Sequence, residues 1–197
     1  MSQDVDFYFD VGSPASYLAF TQLPAICEQV GARLNYIPML LGGVFKATGN
    51  HSPATLPAKA RYIFTDLSRY AHRYQVPFMM NSHFPINTLM LMRGIVAVQM
   101  KAPGKFESWL EAVFSGIWQQ GLDVDKVVVV SELCQSVGLD PDELLNWGLD
   151  RAVKDKLIEN TDEAVRRGVF GAPSMFVGGD LYFGQDRLFM IKERLGG

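Results

Sequence analysis

The chain contains few cysteines and histidines, and those it has are isolated. Cys27 and Cys134 are its two cysteines, and neither belongs to a C-x-x-C pair or to a metal-ligand spacing. His51, His72 and His83 are scattered, so we interpret each as a surface or capping residue rather than a ligand. We therefore expect no disulfide framework and no metal, and a protein of the reducing cytoplasm.

The sequence also lacks an excess of one charge and a long apolar run. Its 18 Lys and Arg residues against 21 Asp and Glu residues leave a net charge of −3, without the basic surplus that nucleic-acid binding requires. Residues 1–4 lack the positive start of a secretory signal, and no segment is apolar enough to span a bilayer. We expect neither nucleic acid nor a membrane as partner. The 48% hydrophobic residues instead predict a sizeable core.

The segment 5–17 organises the chain. Residues 5–10, VDFYFD, are typical of a buried strand, and Gly12 then provides a turn. Ser13 is a preferred N-cap and Pro14 suits the first helical position, so the free amides of a helix should converge at Ser13. Such a place favours an anion. Ser13 either holds a negatively charged ligand atom there or merely caps the helix.

The remaining pattern predicts strand, helix, strand at the start and helix, hairpin, helix at the end, around a mostly helical middle. Parallel strands in such a unit bind ligands outside their carboxyl ends, where Ser13 lies. At 127–130 the residues VVVV allow a strand, but their neighbours favour a helix. The predicted strands are 5–10, 33–38, 174–177 and 181–183; the predicted helices cover 14–30, 57–76, 87–98, 106–118, 125–137, 140–148, 150–167 and 184–195; residues 40–53 are predicted to be an exposed loop beside the site.

This order of elements resembles the thioredoxin fold. Thioredoxin-like redox proteins carry C-P-x-C in the first loop, whereas this chain has SPAS at 13–16. A hydroxyl cannot exchange disulfides as a thiolate does, which disfavours a disulfide oxidoreductase. Within that superfamily the chain resembles the kappa-class glutathione transferases and the 2-hydroxychromene-2-carboxylate isomerases. The matching blocks follow the family order: DFYFD at 6–10 leading into SPASYL at 13–18, GN at 49–50 with Lys59, FPINT at 84–88, VFGAP at 169–173 and FGQDR at 183–187.

The resemblance implies an α/β protein with a thioredoxin-like fold and a large all-helical insertion. The thioredoxin-like domain would be discontinuous, with residues 1–39 and 149–197, and the inserted helical domain would comprise residues 40–148. The family also implies a homodimer.

The resemblance further implies glutathione as the cofactor. Ser13 would stabilise its thiolate. A cis bond between Ala172 and Pro173 would present the Ala172 backbone to the cysteinyl part of the peptide. Gln185 and Asp186 would hold the γ-glutamyl end.

Two further positions match, and some residues keep a second interpretation. Asn50 and Lys59 correspond to positions near the glutathione tail or the second substrate, where Lys59 would attract a carboxylate; Lys46 is a rival for that role. From the residues alone, Pro173 is better interpreted as a proline at the entry of a strand. In the same way, Asp186 is equally an ordinary N-cap.

The implied activity is a glutathione-dependent isomerisation of a bicyclic aromatic carboxylate such as 2-hydroxychromene-2-carboxylate, in aromatic catabolism. Two alternatives remain: a kappa-type transferase that consumes glutathione, and a module that binds glutathione or a peptide without chemistry. The substrate would occupy an apolar pocket, for which we expect Phe45, Phe84, Met90 and Trp118.

Overall fold

The computed structural model describes residues 4–196; residue 197 and residues 1–3, which include most of the start interpreted above as lacking a secretory signal, lie outside this range. Four strands form one sheet in the order β2-β1-β3-β4. Strand β1 pairs parallel with β2 and antiparallel with β3, which pairs antiparallel with β4. The strands are β1 (Asp4–Phe9), β2 (Arg33–Pro38), β3 (Ser174–Val177) and β4 (Asp180–Phe183). The helices are α1 (Pro14–Val30), α2 (Leu41–Thr48), α3 (Pro57–Tyr74), α4 (Leu89–Lys101), α5 (Phe106–Trp118), α6 (Val127–Ser136), α7 (Pro141–Leu149), α8 (Arg151–Arg166) and α9 (Leu188–Arg194).

Strand β1 is buried on both faces because its side chains alternate between two apolar clusters. Val5, Phe7 and Phe9 belong to the larger cluster, which continues without a break into helices α4 to α7. Tyr8 belongs to a smaller cluster on the other face, together with Val44 of α2. The aromatic run of β1 thus lies at the centre of the molecule, and its carboxyl end leads directly into the turn before α1.

The predicted loop over 40–53 is wrong, because residues 41–48 form helix α2. The glycines at 42 and 43 weaken the helical pattern of the sequence. Two tertiary contacts compensate: the Leu41 amide donates a 2.8 Å hydrogen bond to the buried carboxylate of Asp10, and Val44 is fully buried. The helix ends at Gly49, whose φ of 71° is a left-handed conformation that glycine adopts without strain.

The helical interpretation of 127–130 is confirmed, since these residues begin helix α6. Its N-cap is Lys126 rather than Asp125, and Val127 and Val128 are exposed in its first turn. The final helix begins at Leu188, after a short 3-10 turn at Gln185–Arg187. Over residues 4–196, the structure contains no helix that is both long and apolar enough to cross a membrane.

Candidate active site

Ser13 lies at the junction between β1 and α1 and caps that helix. The Ser16 amide donates to Ser13 Oγ over 3.2 Å, and Pro14 occupies the first helical position. The capping interpretation is therefore confirmed. Because capping uses Ser13 Oγ as an acceptor, the hydroxyl hydrogen remains available for a second hydrogen bond, which it donates to the Ala172 carbonyl.

The start of α1 offers an amide donor beside this hydroxyl. The Ala15 amide, at the second helical position, has no hydrogen-bond partner among residues 4–196, and Ala15 lies in the wall of a cavity together with Ser13. The helix macrodipole places about half a positive charge at this end. The junction thus combines a hydroxyl, a free amide and a favourable dipole, which is the chemistry of an anion site.

The loop before β3 approaches Ser13 from the opposite side. The Ala172–Pro173 peptide bond is cis, as the resemblance implies. Ser13 Oγ donates a 3.0 Å hydrogen bond to the Ala172 carbonyl, so this carbonyl, expected to face a ligand, already has a partner. Pro173 is buried, and its carbonyl accepts from the Gly184 amide at 3.0 Å. Ala172 is therefore part of the cavity wall, whereas Pro173 is buried next to it and does not belong to the wall.

The turn after β4 brings Gln185 and Asp186 to the same cavity. Gln185 is buried, and its carbonyl accepts a 2.5 Å hydrogen bond from the Tyr74 hydroxyl. Asp186 is half-buried and forms an ion pair with Arg187. The N-cap of this 3-10 turn is Gly184, so the alternative that Asp186 is an ordinary N-cap is wrong. Gly184 has a φ of 96°, which explains the glycine, and a β-carbon there would lie 2.5 Å from Asp186 Oδ1.

Asn50 reaches the cavity from the end of α2. Its Nδ2 donates to the Phe170 carbonyl over 2.7 Å, and its Oδ1 accepts from the His51 amide over 2.8 Å. The segment after α2 is thereby tied to the loop that carries Ala172. Asn50 lies in the cavity wall, as the sequence predicts for a ligand-contacting residue, and it also holds two segments together.

The basic residues are arranged differently from the sequence prediction. Lys59 and Lys46 are exposed, and neither belongs to the cavity wall. His51 does belong to it, although its isolation in the sequence indicated an ordinary surface residue. The signal that could have identified His51 is its position directly after Asn50, within a block that resembles the family.

The cavity has a volume of about 310 Å³ and a mainly apolar wall. Of the four residues expected in an apolar pocket, Phe45 and Phe84 lie in this wall. Trp118 does not: it is fully buried in the core, where its indole N–H donates to the Val11 carbonyl at 2.8 Å. Met90 lines a different cavity of about 340 Å³ between helices α4 to α7. That cavity is slightly larger, but it contains none of the residues predicted to bind glutathione, so we assign the site to the cavity at Ser13.

Asp10 is a buried residue of the site region that sequence analysis did not single out. Its carboxylate accepts from the Gly12 amide at 2.9 Å, the Leu41 amide at 2.8 Å and the Thr88 hydroxyl at 3.1 Å. Burial raises the pKa of Asp10, and these three hydrogen bonds oppose the rise. The carboxyl group thus connects the turn before Ser13 with the beginnings of α2 and α4.

These features define the class of the protein. A strand-to-helix turn that carries Ser-Pro-x-Ser faces a cis-proline loop across an apolar cavity, in a sheet of order β2-β1-β3-β4. The molecule is a thioredoxin-fold protein with serine in the place of the redox cysteines.

Comparisons with known proteins define the family more closely. The chain matches the DSBA-like thioredoxin domain over residues 4–196. It is 31% identical to 2-hydroxychromene-2-carboxylate isomerase of Sphingobium xenophagum, with 99% of each chain covered. It is 30% identical to glutathione S-transferase kappa 1 of Rattus norvegicus, with 98% of this chain and 90% of that protein covered. A solved structure of 2-hydroxychromene-2-carboxylate isomerase matches with a TM-score of 0.87 at 30% identity, over 98% of this chain and 94% of that one.

The chain therefore belongs to the DSBA-like thioredoxin-domain family, within the group of 2-hydroxychromene-2-carboxylate isomerases and kappa-class glutathione transferases. These relatives are isomerases and transferases by name, which supports an enzyme.

Proposed function

We propose that this chain is a glutathione-dependent isomerase that interconverts 2-hydroxychromene-2-carboxylate and trans-o-hydroxybenzylidenepyruvate, or a similar aromatic keto acid, in aromatic catabolism. The observation that carries the proposal is that the start of α1 places two donors, the Ser13 hydroxyl and the Ala15 amide, on residues that line one apolar cavity. The isomerases at 31% identity support the choice of reaction.

The residues of the cavity fit a γ-glutamyl tripeptide with a central thiol. Ser13 and Ala15 offer donors to a sulfur anion, and the Ala172 backbone lies next to them for the cysteinyl unit. Asp186, which also pairs with Arg187, offers its carboxylate to the ammonium group of the γ-glutamyl end, beside Gln185. Asn50 also belongs to this wall. Lys59 is outside the wall, so we do not carry its role forward.

Bound glutathione would supply a nucleophilic thiolate that is regenerated in each cycle. The contribution of the protein is to make the anion more stable than it is in water. A free thiol of this kind has a pKa of about 8.5, and each 1.4 kcal/mol of stabilisation lowers that pKa by about one unit. To donate to sulfur, the Ser13 hydroxyl hydrogen must turn away from the Ala172 carbonyl while Ser13 Oγ continues to cap α1.

The proposal also covers the cellular location and the oligomeric state of the enzyme. Glutathione is abundant where thiols stay reduced, and Cys27 and Cys134 are both free and buried, so we place the protein in the cytoplasm. We also propose a homodimer, by analogy with the family; sedimentation equilibrium measures this directly.

An ultraviolet titration of glutathione with pure protein tests the proposal. Thiolate absorbance should appear on binding at neutral pH and should be lost in a Ser13→Ala variant, which we expect to be less stable by about 1 kcal/mol because α1 loses its cap. Ser16→Ala is the matched control. Ser16 Oγ is buried without a partner in the described chain, so its removal should preserve both absorbance and stability.

Addition of 2-hydroxychromene-2-carboxylate extends the same experiment to the reaction. An isomerase should convert the substrate over many turnovers at constant glutathione concentration. Unaltered thiolate absorbance in Ser13→Ala, or no absorbance with the wild-type protein, would refute the proposed role of Ser13.

A kappa-type transferase is the second candidate, favoured by the relatives named glutathione S-transferase kappa at about 30% identity. Loss of glutathione in proportion to the product formed would identify a transferase. A pure binding module would show neither conversion nor loss.

A further inference from the structure

His51 differs from every other charged or titratable side chain that lines the cavity at Ser13. The two acidic residues of the wall are already paired: Asp186 with Arg187, and Asp66 with Arg69 at 3.9 Å. His51 is the one basic side chain in that wall, and it has no ion-pair partner within residues 4–196. His51 thus offers a ligand the one basic side chain found in this wall within the described residues.

Hydrogen bonds hold the backbone of His51 in place and so fix the point from which its side chain extends. The His51 amide donates to Asn50 Oδ1, and the Asn50 side-chain amide donates in turn to the Phe170 carbonyl. These bonds tie His51 to the loop that also carries Ala172. The position of the His51 backbone is therefore set relative to the wall that His51 shares with Ser13.

The apolar part of the wall determines what kind of group His51 would meet. Four aromatic side chains, Phe45, Phe64, Phe84 and Phe183, line the same cavity. A flat ring packs favourably against such side chains, but a carboxylate buried among them without a partner would be costly. Histidine N–H groups are suitable donors to a carboxylate, and the two lysines that could compete lie outside the wall.

We propose that His51 is the specificity-determining residue that binds the carboxylate of the aromatic substrate. This inference rests on the proposed function for the substrate class, and it replaces the roles suggested by the sequence for Lys59 and Lys46. The site would favour aromatic monocarboxylates over uncharged rings of the same shape.

The binding of an unreactive pair of ligands tests the proposal. We expect the wild-type protein to bind 2-naphthoate about tenfold more tightly than its uncharged analogue 2-naphthamide, a typical effect of one charge-assisted hydrogen bond. His51→Gln should abolish the preference, whereas Lys59→Gln and Lys46→Gln should retain it. Calorimetry measures all eight affinities. His51 is exposed, so its substitution should leave the fold intact.

Kinetics with the substrate provide an independent measurement. If His51 binds the carboxylate equally in the ground and transition states, His51→Gln should raise KM about tenfold with kcat unchanged. A preference for 2-naphthoate that survives His51→Gln or is lost in Lys59→Gln would overturn the proposal, as would a lower kcat at unchanged KM or no preference in the wild-type protein. Thiolate absorbance tests the proposed glutathione chemistry separately, so the two ideas can fail independently.

Discussion

At the scale of single residues, Asp10 shows how a carboxyl group is kept inside this fold. It is 2% exposed and has three hydrogen-bond donors, from Gly12, Leu41 and Thr88. Removal from water disfavours the charged form, and this effect outweighs the donors, so the pKa of Asp10 is raised. The carboxyl group of Asp10 therefore organises the turn before Ser13, and it also makes the free energy of unfolding dependent on pH.

We expect the stability advantage of the wild-type chain over an Asp10→Asn variant to decrease as the pH rises from acidic to neutral. Because the folded chain has the higher Asp10 pKa, it binds the proton more tightly than the unfolded chain. The contribution of Asp10 is complete below the unfolded pKa and is lost as the pH rises through the folded pKa. Urea unfolding of both proteins over a series of pH values measures this contribution to the free energy of unfolding. An advantage that grows with pH would show that the hydrogen bonds outweigh burial.

At the scale of elements, α2 illustrates how a helix of low intrinsic propensity positions the site. Its end at Gly49 directs the chain so that Asn50 and His51 enter the cavity wall. The φ of 71° at Gly49 is costly for any residue with a β-carbon. Gly42, earlier in the same helix, has no such conformation, and a β-carbon added there would meet no atom within 4 Å.

These two glycines give a matched pair of variants. Gly49→Ala should lower the free energy of unfolding by about 1 kcal/mol and weaken glutathione binding, because the backbone before Asn50 is strained. Gly42→Ala should instead raise stability by about 0.5 kcal/mol, because alanine is the better helix former. Chemical denaturation measures the free energy of unfolding, and calorimetry measures the affinity for glutathione. Equal effects of the two substitutions would contradict the assigned role of the helix end.

At the scale of the whole molecule, the sheet and the helical layer share one core. Phe114 of α5 contacts three rings from the first 20 residues: Phe9, Tyr17 and Phe20, with centroid distances of 5.9, 6.1 and 5.0 Å. The proposed division into two domains, residues 1–39 with 149–197 and residues 40–148, refers to segments of the sequence and not to separate cores. Because this core is continuous, we do not expect the two parts to unfold separately.

We expect Phe114→Ala to reduce the free energy of unfolding by about 3–5 kcal/mol in a single transition. Phe114→Leu is the milder control and should cost less, since it leaves a smaller cavity. Tryptophan fluorescence and far-ultraviolet circular dichroism should give coincident midpoints. Two separate transitions would show that the helical layer folds independently of the sheet.

The sequence by itself determined the features that depend on neighbouring residues. The start of α1 follows from Ser13 and Pro14, whose backbone preferences are local, and the compact apolar and aromatic run of β1 predicts a buried strand. The order of the four strands and of the helices other than α2 also came from the sequence, as did the family resemblance, and both are confirmed.

Only the tertiary structure decided which side chains meet across the cavity. Helix α2 forms where its glycines predicted a loop, because the carboxylate of Asp10 binds its first amide. His51 enters the wall while Lys59 remains outside, and Trp118 packs in the core rather than in the pocket. The physical reason is that these positions depend on contacts between residues far apart in the chain, whereas the signals that can be read from a sequence are set within a few residues.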